Sequence, residues 1–367
     1  QNDSCAAYKD FRELIGRDDI DIVSIATTDH WHVLVSLAAA RAGKDIYLEK
    51  PMGISVEECR LLRAAYLQKK DTLATQVGTQ RHAFPNFNRV REAVRDGAIG
   101  QLEEACAWGD RKLRRTGYPA AQGEPPPELH YDLWLGPAPF HPYNPEYFSG
   151  GVGMNCLQWN MYWDFGTGQV GDMGNHTMDL VWQAIDAGHP TAVEAKGDPF
   201  NPDVTPVKLV FHLEHPANNW RGPIRVSWYQ GKVFPTSPKK FIDLDGIGHG
   251  AMFKGTKGVL VADFNSRMLI PDAKADLTEY KIRPKEAQLP EIGDFQEQWI
   301  NACKGDVTKT SCNFDYNGLM TEQMALGLVA YRAGKKLKYD GKTGLTDDAG
   351  ANQFLSRKYR QGWAING

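Results

Sequence analysis

No apolar run in this sequence approaches the ~18–20 residues that a bilayer-crossing helix requires, there is no excess of basic charge, and no Cys-x-x-Cys occurs. The first lack removes a membrane partner from the expected functions. The second removes nucleic acid, because a formal net charge of −3 leaves no surplus of phosphate-neutralising side chains. The third makes the six cysteines (Cys5, Cys59, Cys106, Cys156, Cys303 and Cys312) expected buried free thiols rather than a disulfide framework. Repeats and low-complexity tracts are missing too. So is a leader of charged then apolar residues after Gln1, and the compartment, cytoplasmic or exported, is not legible. What remains is ordinary globular composition, 42% hydrophobic and 24% charged over 367 residues. That length allows two domains with separate cores.

Residues 20–105 alternate strands and helices. Asp21 to Ala26 is a short β-branched run ending in the helix-start cluster Thr27-Thr28-Asp29. His32 to Ala42 is Ala-rich and stops at Gly43; Asp45 to Leu48 is the next strand, closed by Pro51. Ser55 with Glu58 has capping-box spacing and opens a helix through about Lys69, with Val56, Cys59 and Leu62 on one face. Thr72 to Val77 reads as a third strand and Asn86 to Arg95 as a further helix. Strand–helix alternation at this spacing implies a parallel sheet. From about Gln101 the character changes. A Gly/Pro/Tyr-rich stretch over 117–153 predicts long irregular connections, and beyond Ala192 period-two runs such as Lys208 to Leu213 and Ile224 to Trp228 predict an antiparallel sheet with one covered face. Two late helices bury Phe295, Trp299 and Cys303, and Met320, Met324, Leu328 and Tyr331, which are read as core packing. The expected architecture is α/β followed by α+β: a doubly wound parallel sheet over residues 1–100, then a largely antiparallel sheet with helices over 101–367. Such a pair places its site in the cleft at the carboxyl ends of the parallel strands.

Three motifs fall there. Ala26-Thr27-Thr28-Asp29-His30-Trp31-His32 ends a strand and opens a helix, where free N–H groups favour an anionic or polar ligand; capping explains the same residue types. Glu49-Lys50-Pro51 follows the next strand. A lysine sheltered from water there can serve as base to an alcohol, although a surface turn closed by Pro51 accounts equally for the letters. Gly166 to Asp179 contains Asp172 and His176 four residues apart, on one face if a helix begins near Asp172. That pair suits a carboxylate orienting an imidazole, or two groups on neighbouring sugar hydroxyls. His-x-x-Asp also suggests a metal, but no further ligands stand at recognisable spacing, so no metal is expected. The upstream aromatics Trp159, Tyr162, Trp163 and Phe165 read either as a sugar-stacking surface or as core.

Taken together, Ala-Thr-x-x-x-x-His at 26–32, Glu-Lys-Pro at 49–51 and Gly-Asp-x-Gly-x-His-x-x-Asp at 171–179 resemble the Gfo/Idh/MocA family in order and spacing. Arg81, in Val77-Gly78-Thr79-Gln80-Arg81, and the ending Tyr359-Arg360-Gln361-Gly362-Trp363 look like a branch of it common in bacterial sugar metabolism. The resemblance covers essentially the whole chain. It implies an N-terminal Rossmann domain, a C-terminal open-faced sheet through which the protein forms dimers or tetramers, NAD or NADP as cofactor and a small carbohydrate as substrate. Lys50, Asp172 and His176 match the catalytic positions. Thr27, Thr28, Asp29, His32, Glu49, Lys50 and Pro51 fall on the cofactor side, and Arg81, Tyr162, Trp163, Asp172 and His176 on the substrate side. The sequence departs from the family at its start. The first strand, its Gly-x-Gly-x-x-Gly turn and the residue that separates NAD from NADP are absent, and residues 1–15 contain no glycine. The expectation is therefore a fragment, or unlisted upstream residues, with the strand at 21–26 left with an unpaired edge.

Three functions are weighed. The leading one is a dehydrogenase acting on a hydroxyl of a sugar, sugar acid or cyclic polyol. In it Lys50 accepts or relays the proton, His176 assists, Asp172 holds a neighbouring group and hydride goes to nicotinamide C4. The second is a glycosidase that uses NAD catalytically through oxidation, elimination, hydration and reduction. The third, a non-catalytic sugar-sensing relative, sits poorly with Lys50, Asp172 and His176 all being present.

Overall fold

A computed structural model describes residues 5–109, 111, 114–149, 154–240, 242–272, 280–306 and 309–365. Its N-terminal part runs α1 (Phe11–Ile15), β1 (Ile22–Ile25), α2 (His32–Arg41), β2 (Asp45–Leu48), α3 (Val56–Lys69), β3 (Thr75–Val77) and α4 (Pro85–Arg95). The strands pair in parallel in the order β1-β2-β3, with Ile25 opposite Leu48 and Leu48 opposite Val77. The strands are short, and helices cover their apolar residues: Ile25, Ile46 and Leu48 share a core with Val33, Leu37, Leu62 and Tyr66. Ser55 Oγ accepts from the Glu58 N–H at 3.2 Å while Glu58 accepts from Ile54 N–H at 3.0 Å, so α3 starts where the capping pattern sets it. β3 begins three residues later than the sequence suggests. The N–H groups of Thr72 and Leu73 both close onto the Lys69 carbonyl at 2.9 Å, so those residues finish the helix instead. Among the described residues β1 pairs on one side only, and Ile22 at its edge is 48% exposed.

The second part runs β4 (Leu102–Trp108), α5 (Tyr131–Leu135), α6 (Asn175–Ile185), β5 (Ala192–Gly197), β6 (Leu209–His215), β7 (Ile224–Gln230), α7 (Leu244–Ile247), β8 (Gly250–Gly255), β9 (Gly258–Ala262), β10 (Arg267–Pro271), α8 (Phe295–Cys303), α9 (Phe314–Ala333), β11 (Leu337–Asp340), β12 (Leu345–Thr346) and α10 (Ala349–Asn352). Its sheet has the order β10-β9-β8-β4-β7-β6-β5-β11-β12 and is antiparallel except where β4 meets β7. Alternation does the sorting. In β6, Leu209, Phe211 and Leu213 point inward against α6 and α9, whereas Val210, His212 and Glu214 face outward. The outer face is open apart from a small cluster around Trp108, Leu244, Val261 and Ile270. No helix among the described residues is long and apolar enough to cross a membrane.

The cysteines carry no disulfide among the described residues. Cys59, Cys106 and Cys312 are buried as expected, Cys303 is half-buried and Cys5 is exposed; the Cys156 side chain lies outside the described ones. The irregular stretch after β4 folds into its own aromatic cluster of Tyr131, Tyr147, Trp159, Tyr162 and Phe165.

A boundary near residue 100 separates the sheets but not the cores. Phe314 of α9 and Ile365 sit in the N-terminal core, and Trp363 meets Trp31 edge-on at 4.8 Å. The Tyr359 hydroxyl and Arg357 Nε both donate to Glu58 Oε1, at 2.6 and 2.7 Å, and Glu58 is 1% exposed. Arg357 also donates to the His30 carbonyl at 2.5 Å, so the C-terminal strap braces the loop after β1. Glu58→Gln should cost about 3–5 kcal/mol, because it leaves a largely buried guanidinium without its counter-charge. Chemical denaturation checks this, and an unchanged midpoint would show that the strap bears no load.

Candidate active site

Lys50 stands at the carboxyl end of β2 and Asp172 in a π-helical turn, Val170–Gly174, that precedes α6. The turn is wide because Gly174 N–H reaches back five residues to the Gln169 carbonyl at 2.9 Å. A Cβ on Gly171 would stand 2.0 Å from Thr167 Oγ1 and 3.2 Å from Pro51 Cγ, so glycine lets the loop after β2 lie against the turn. The approach brings Lys50 Nζ to 2.5 Å from Asp172 Oδ1. Arg111 Nε lies 3.0 Å from Oδ2, and Asp172 is 0% exposed. Arg111 is itself fixed: its N–H donates to Gln169 Oε1 at 2.9 Å, and Gln169 Nε2 donates to its carbonyl at 2.8 Å. One carboxylate is thus shared by two cations, which leaves a net positive charge.

His176 follows on α6, which starts at Asn175, so Asp172 stands in the π-helical turn before the helix rather than on it. Neither ring nitrogen has a hydrogen-bond partner among the described residues, and Nδ1 is buried. Burial first, then the charges of Lys50, Arg81 and Arg111 and the nearby His249, hold its pKa well below the usual 6.5. It is a neutral imidazole free to bond a ligand. Arg81, on the turn after β3, lies over the Phe264 ring at 4.2 Å, with Nη1 buried and unpartnered. His249, just before β8, completes the group. Its Nε2 is buried without a partner, and burial together with Arg81 and Arg111 lowers its pKa.

The strand-end loops bring Asp29 and Glu49 within electrostatic reach of Lys50. Thr27 is exposed and Thr28 half-buried at the end of β1. Asp29 is buried and accepts from Asn160 Nδ2 at 2.7 Å; burial raises its pKa well above the carboxylate range, with Lys50 opposing and Asp172 reinforcing the rise. Glu49 is half-buried and accepts from Gln80 Nε2 at 3.3 Å; burial raises its pKa while Lys50 counters. His32 is 1% exposed, with Nδ1 2.7 Å from the Pro51 carbonyl and Nε2 3.1 Å from the Thr27 carbonyl. It therefore ties the two loops together and acts on the crevice through them. Pro51 is buried, its carbonyl 2.7 Å from His32 Nδ1, and the Lys50–Pro51 peptide is cis.

Other expected contacts are placed elsewhere. Trp163 gives its Nε1–H to the Asn201 carbonyl at 2.9 Å and carries the Arg332 guanidinium at 5.1 Å, so it packs toward α9. Tyr162 is 0% exposed and stacks on Tyr118 at 4.8 Å. Both rings are packed against protein groups, as the core alternative for this segment expects. Asp172 is fully buried, with Oδ1 accepting from Lys50 and Oδ2 within ion-pair distance of Arg111 but without a hydrogen-bond partner among the described residues. Sequence reasoning missed Arg111 and His249. Arg111 lies in a loop with no periodicity to mark it. His249 sits between Gly248 and Gly250, and that glycine-flanked histidine was the available signal.

One set of described residues has donor types suited to a metal: His82, Asp179 and Cys312, all buried, with ligand atoms within 4.8 Å of one another. Each already has a partner. His82 Nδ1 lies 3.0 Å from Asp179, Tyr316 donates to Asp179 at 2.6 Å and Thr79 donates to Cys312 at 3.2 Å. Burial disfavours charge on His82, but Asp179 and Cys312 outweigh it and raise its pKa well above 6.5. The cluster holds the Arg81 turn against α6 and α9. Gly166-Thr167-Gly168-Gln169-Val170-Gly171 also spells a dinucleotide fingerprint by letters. It follows no strand, and a Cβ on Gly166 would stand 2.6 Å from the Asn160 carbonyl, so its glycines serve close packing.

Residues 107–365 match the family model described as the oxidoreductase family's C-terminal alpha/beta domain, and residues 1–77 match that family's NAD-binding Rossmann fold. Glycosyl hydrolase family 109 protein 1 of Shewanella sp. (strain ANA-3) is 37% identical over 106 residues, 28% of this chain and 22% of that protein. The match therefore spans less than a quarter of that relative. Two solved structures share the fold. The WlbA dehydrogenase from Bordetella pertussis, in complex with NADH and UDP-GlcNAcA, is 14% identical with a TM-score of 0.58 over 90% of this chain and 83% of that one. Levoglucosan dehydrogenase, in complex with NADH and levoglucosan, is 17% identical with a TM-score of 0.58 over the same shares.

Proposed function

Because this chain belongs to the Gfo/Idh/MocA oxidoreductase family, we propose that it moves a hydride between a nicotinamide cofactor and a hydroxyl-bearing carbon of a carbohydrate, at the crevice of Lys50 and His176. The observation that carries this reading is the neutral, unpartnered imidazole of His176 beside a lysine locked to a buried carboxylate. The residues present fit the nicotinamide end of NAD. Thr27 is exposed at the end of β1, Lys50 is 18% exposed at the end of β2, and Asn160 Oδ1 is a buried acceptor without a partner. The ligands of the two solved relatives accord with this fit.

When bound, the nicotinamide would accept the hydride from the carbon bearing the substrate hydroxyl. Lys50 Nζ relays the hydroxyl proton, its ammonium passing a proton to the Asp172 carboxylate as it takes up the one the hydroxyl releases. His176 hydrogen-bonds the same hydroxyl and fixes which carbon faces the ring. Asp172, which the ligand cannot reach, is a positioning residue: it aims Lys50 with one oxygen and Arg111 with the other.

The local match to a family 109 glycosyl hydrolase supports a second reading, glycoside cleavage with NAD reduced and reoxidised in each turnover. Absorbance of the reduced nicotinamide separates the two. Stoichiometric reduction on adding a free sugar and NAD supports the dehydrogenase, whereas cleavage of a chromogenic glycoside without net reduction supports the glycosidase. Neither reaction with any carbohydrate would overturn the proposal. Because His176 stays neutral well below pH 6.5, kcat/KM should show no acid limb from this group between about pH 6 and 8. An acid limb in that range that disappears in His176→Gln would contradict it. Assembly through the outer face of the large sheet, where Tyr229, Met252 and Val259 are partly buried, is part of the same proposal, and light scattering in solution tests it.

A further inference from the structure

The crevice holds more positive charge than a neutral sugar needs. Lys50 and Arg111 share the carboxylate of Asp172. Glu49 is the other carboxylate beside Lys50, and Asp29 is buried, with its proton favoured and its oxygen given to Asn160. Arg81 is left over. It forms no ion pair and no side-chain hydrogen bond among the described residues, although Nη1 is buried. Its Cζ lies over the Phe264 ring at 4.2 Å, and its buried Nη1 has no acceptor among the described residues. Its face of the crevice is shared with Arg111 and with His249, whose Nε2 is also buried and unpartnered.

A buried donor with no acceptor costs stability wherever a protein keeps one, so the acceptor is best sought in the ligand. Sugar hydroxyls could satisfy the N–H groups, but they would leave the charge uncompensated in a crevice that already contains Lys50 and Arg111. A carboxylate satisfies both. It is planar, carries one negative charge and matches a stacked guanidinium in a two-bond fork. A phosphoryl group brings close to two negative charges, and a single unpaired guanidinium is matched to one.

We propose that Arg81, with His249 beside it, is a carboxylate-binding subsite, and that the substrate is a sugar acid rather than a neutral sugar. This rests on the reading of the crevice as a carbohydrate oxidation site. It narrows that reading from sugars and polyols in general to uronic or aldonic acids, whose carboxylate is gripped at Arg81 while a hydroxyl lies between Lys50 and His176.

The test is a binding measurement, so it stands apart from turnover. Calorimetric titration compares glucuronate and galacturonate with glucose, galactose and glucose 6-phosphate, on the wild type and on Arg81→Gln. The expected result is a roughly ten- to hundred-fold preference for each uronate over its neutral parent. That preference should fall to near parity in Arg81→Gln, with uronate affinity dropping far more than neutral-sugar affinity, and Arg81→Lys should recover only part of it. Thermal melting of each variant confirms that it is folded. Four binding results would overturn the proposal: equal binding of uronates and neutral sugars, no uronate binding, a uronate preference that survives Arg81→Gln, or tighter binding of the phosphate ester. Nicotinamide reduction by neutral sugars at undiminished rate would sink this inference and leave the dehydrogenase reading standing; uronate binding without any nicotinamide reduction would do the reverse.

Discussion

Lys50→Met lowers the rate of sugar oxidation by roughly a hundred- to ten-thousand-fold, the span that a positioned proton acceptor contributes, and leaves the fold intact. The two halves of that expectation come from the same geometry. Lys50 is 18% exposed and reaches the crevice, so its amine is available to a substrate hydroxyl. Asp172 is 0% exposed and would be left as a buried charge by the substitution, but Arg111 still stands 3.0 Å from its other oxygen. The carboxylate keeps a counter-ion, and the melting temperature should move little. Lys50→Arg keeps the positive charge yet should restore little of the rate, because a guanidinium neither accepts a proton at accessible pH nor fits the space of an ammonium. Single-turnover reduction of NAD, read beside the melting curve of each variant, checks both halves. A loss of activity matched by a collapse of the fold would mean that Lys50 is structural.

Asp172→Asn gives the opposite pattern. It removes the carboxylate that holds both Lys50 and Arg111, in a site where Arg81 has no ion pair among the described residues. Both cations are largely buried, at 18% and 19% exposure, and water cannot fully screen them. The expected destabilisation is about 3–5 kcal/mol, the usual result of breaking a buried ion pair from one side. Activity also falls, by at least roughly a hundred-fold, since an amine no longer aimed at the hydroxyl by even an ångström loses that much. The diagnostic feature is the combination: Asp172→Asn is both slow and unstable, whereas Lys50→Met is slow and stable. If Asp172→Asn were as stable as wild type, the shared carboxylate would not organise the site.

The sequence revealed those parts of the molecule whose cause is local. Alternation located β6 and β7, the Ser55–Glu58 pair located the start of α3, and the strand ends at Thr27 and Lys50 located one wall of the crevice. Parts whose cause lies far along the chain were hidden. Whether Trp163 faces a sugar or α9 depends on Asn201 and Arg332. Whether Asp172 grips a hydroxyl depends on Arg111, which nothing in its own loop marks. The late start of β3 depends on two N–H groups choosing the Lys69 carbonyl, a choice propensity does not make. The braced Glu58 was read only as a capping residue, because Arg357 and Tyr359 arrive from some three hundred residues away. His32 matched a cofactor-side position by its place in the motif, yet it works by bridging the Thr27 and Pro51 carbonyls.

The central claim is that Lys50 and His176 act on one and the same hydroxyl, and a double-mutant cycle tests it most directly. The rate of deuteride transfer from a sugar labelled at the reacting carbon to nicotinamide C4 is measured for wild type, Lys50→Met, His176→Gln and the double variant. If the two side chains share a single hydroxyl, the double variant is scarcely slower than the worse single one, because removing either partner already disables the unit. Losses that multiply independently would place the amine and the imidazole at separate tasks and contradict the account.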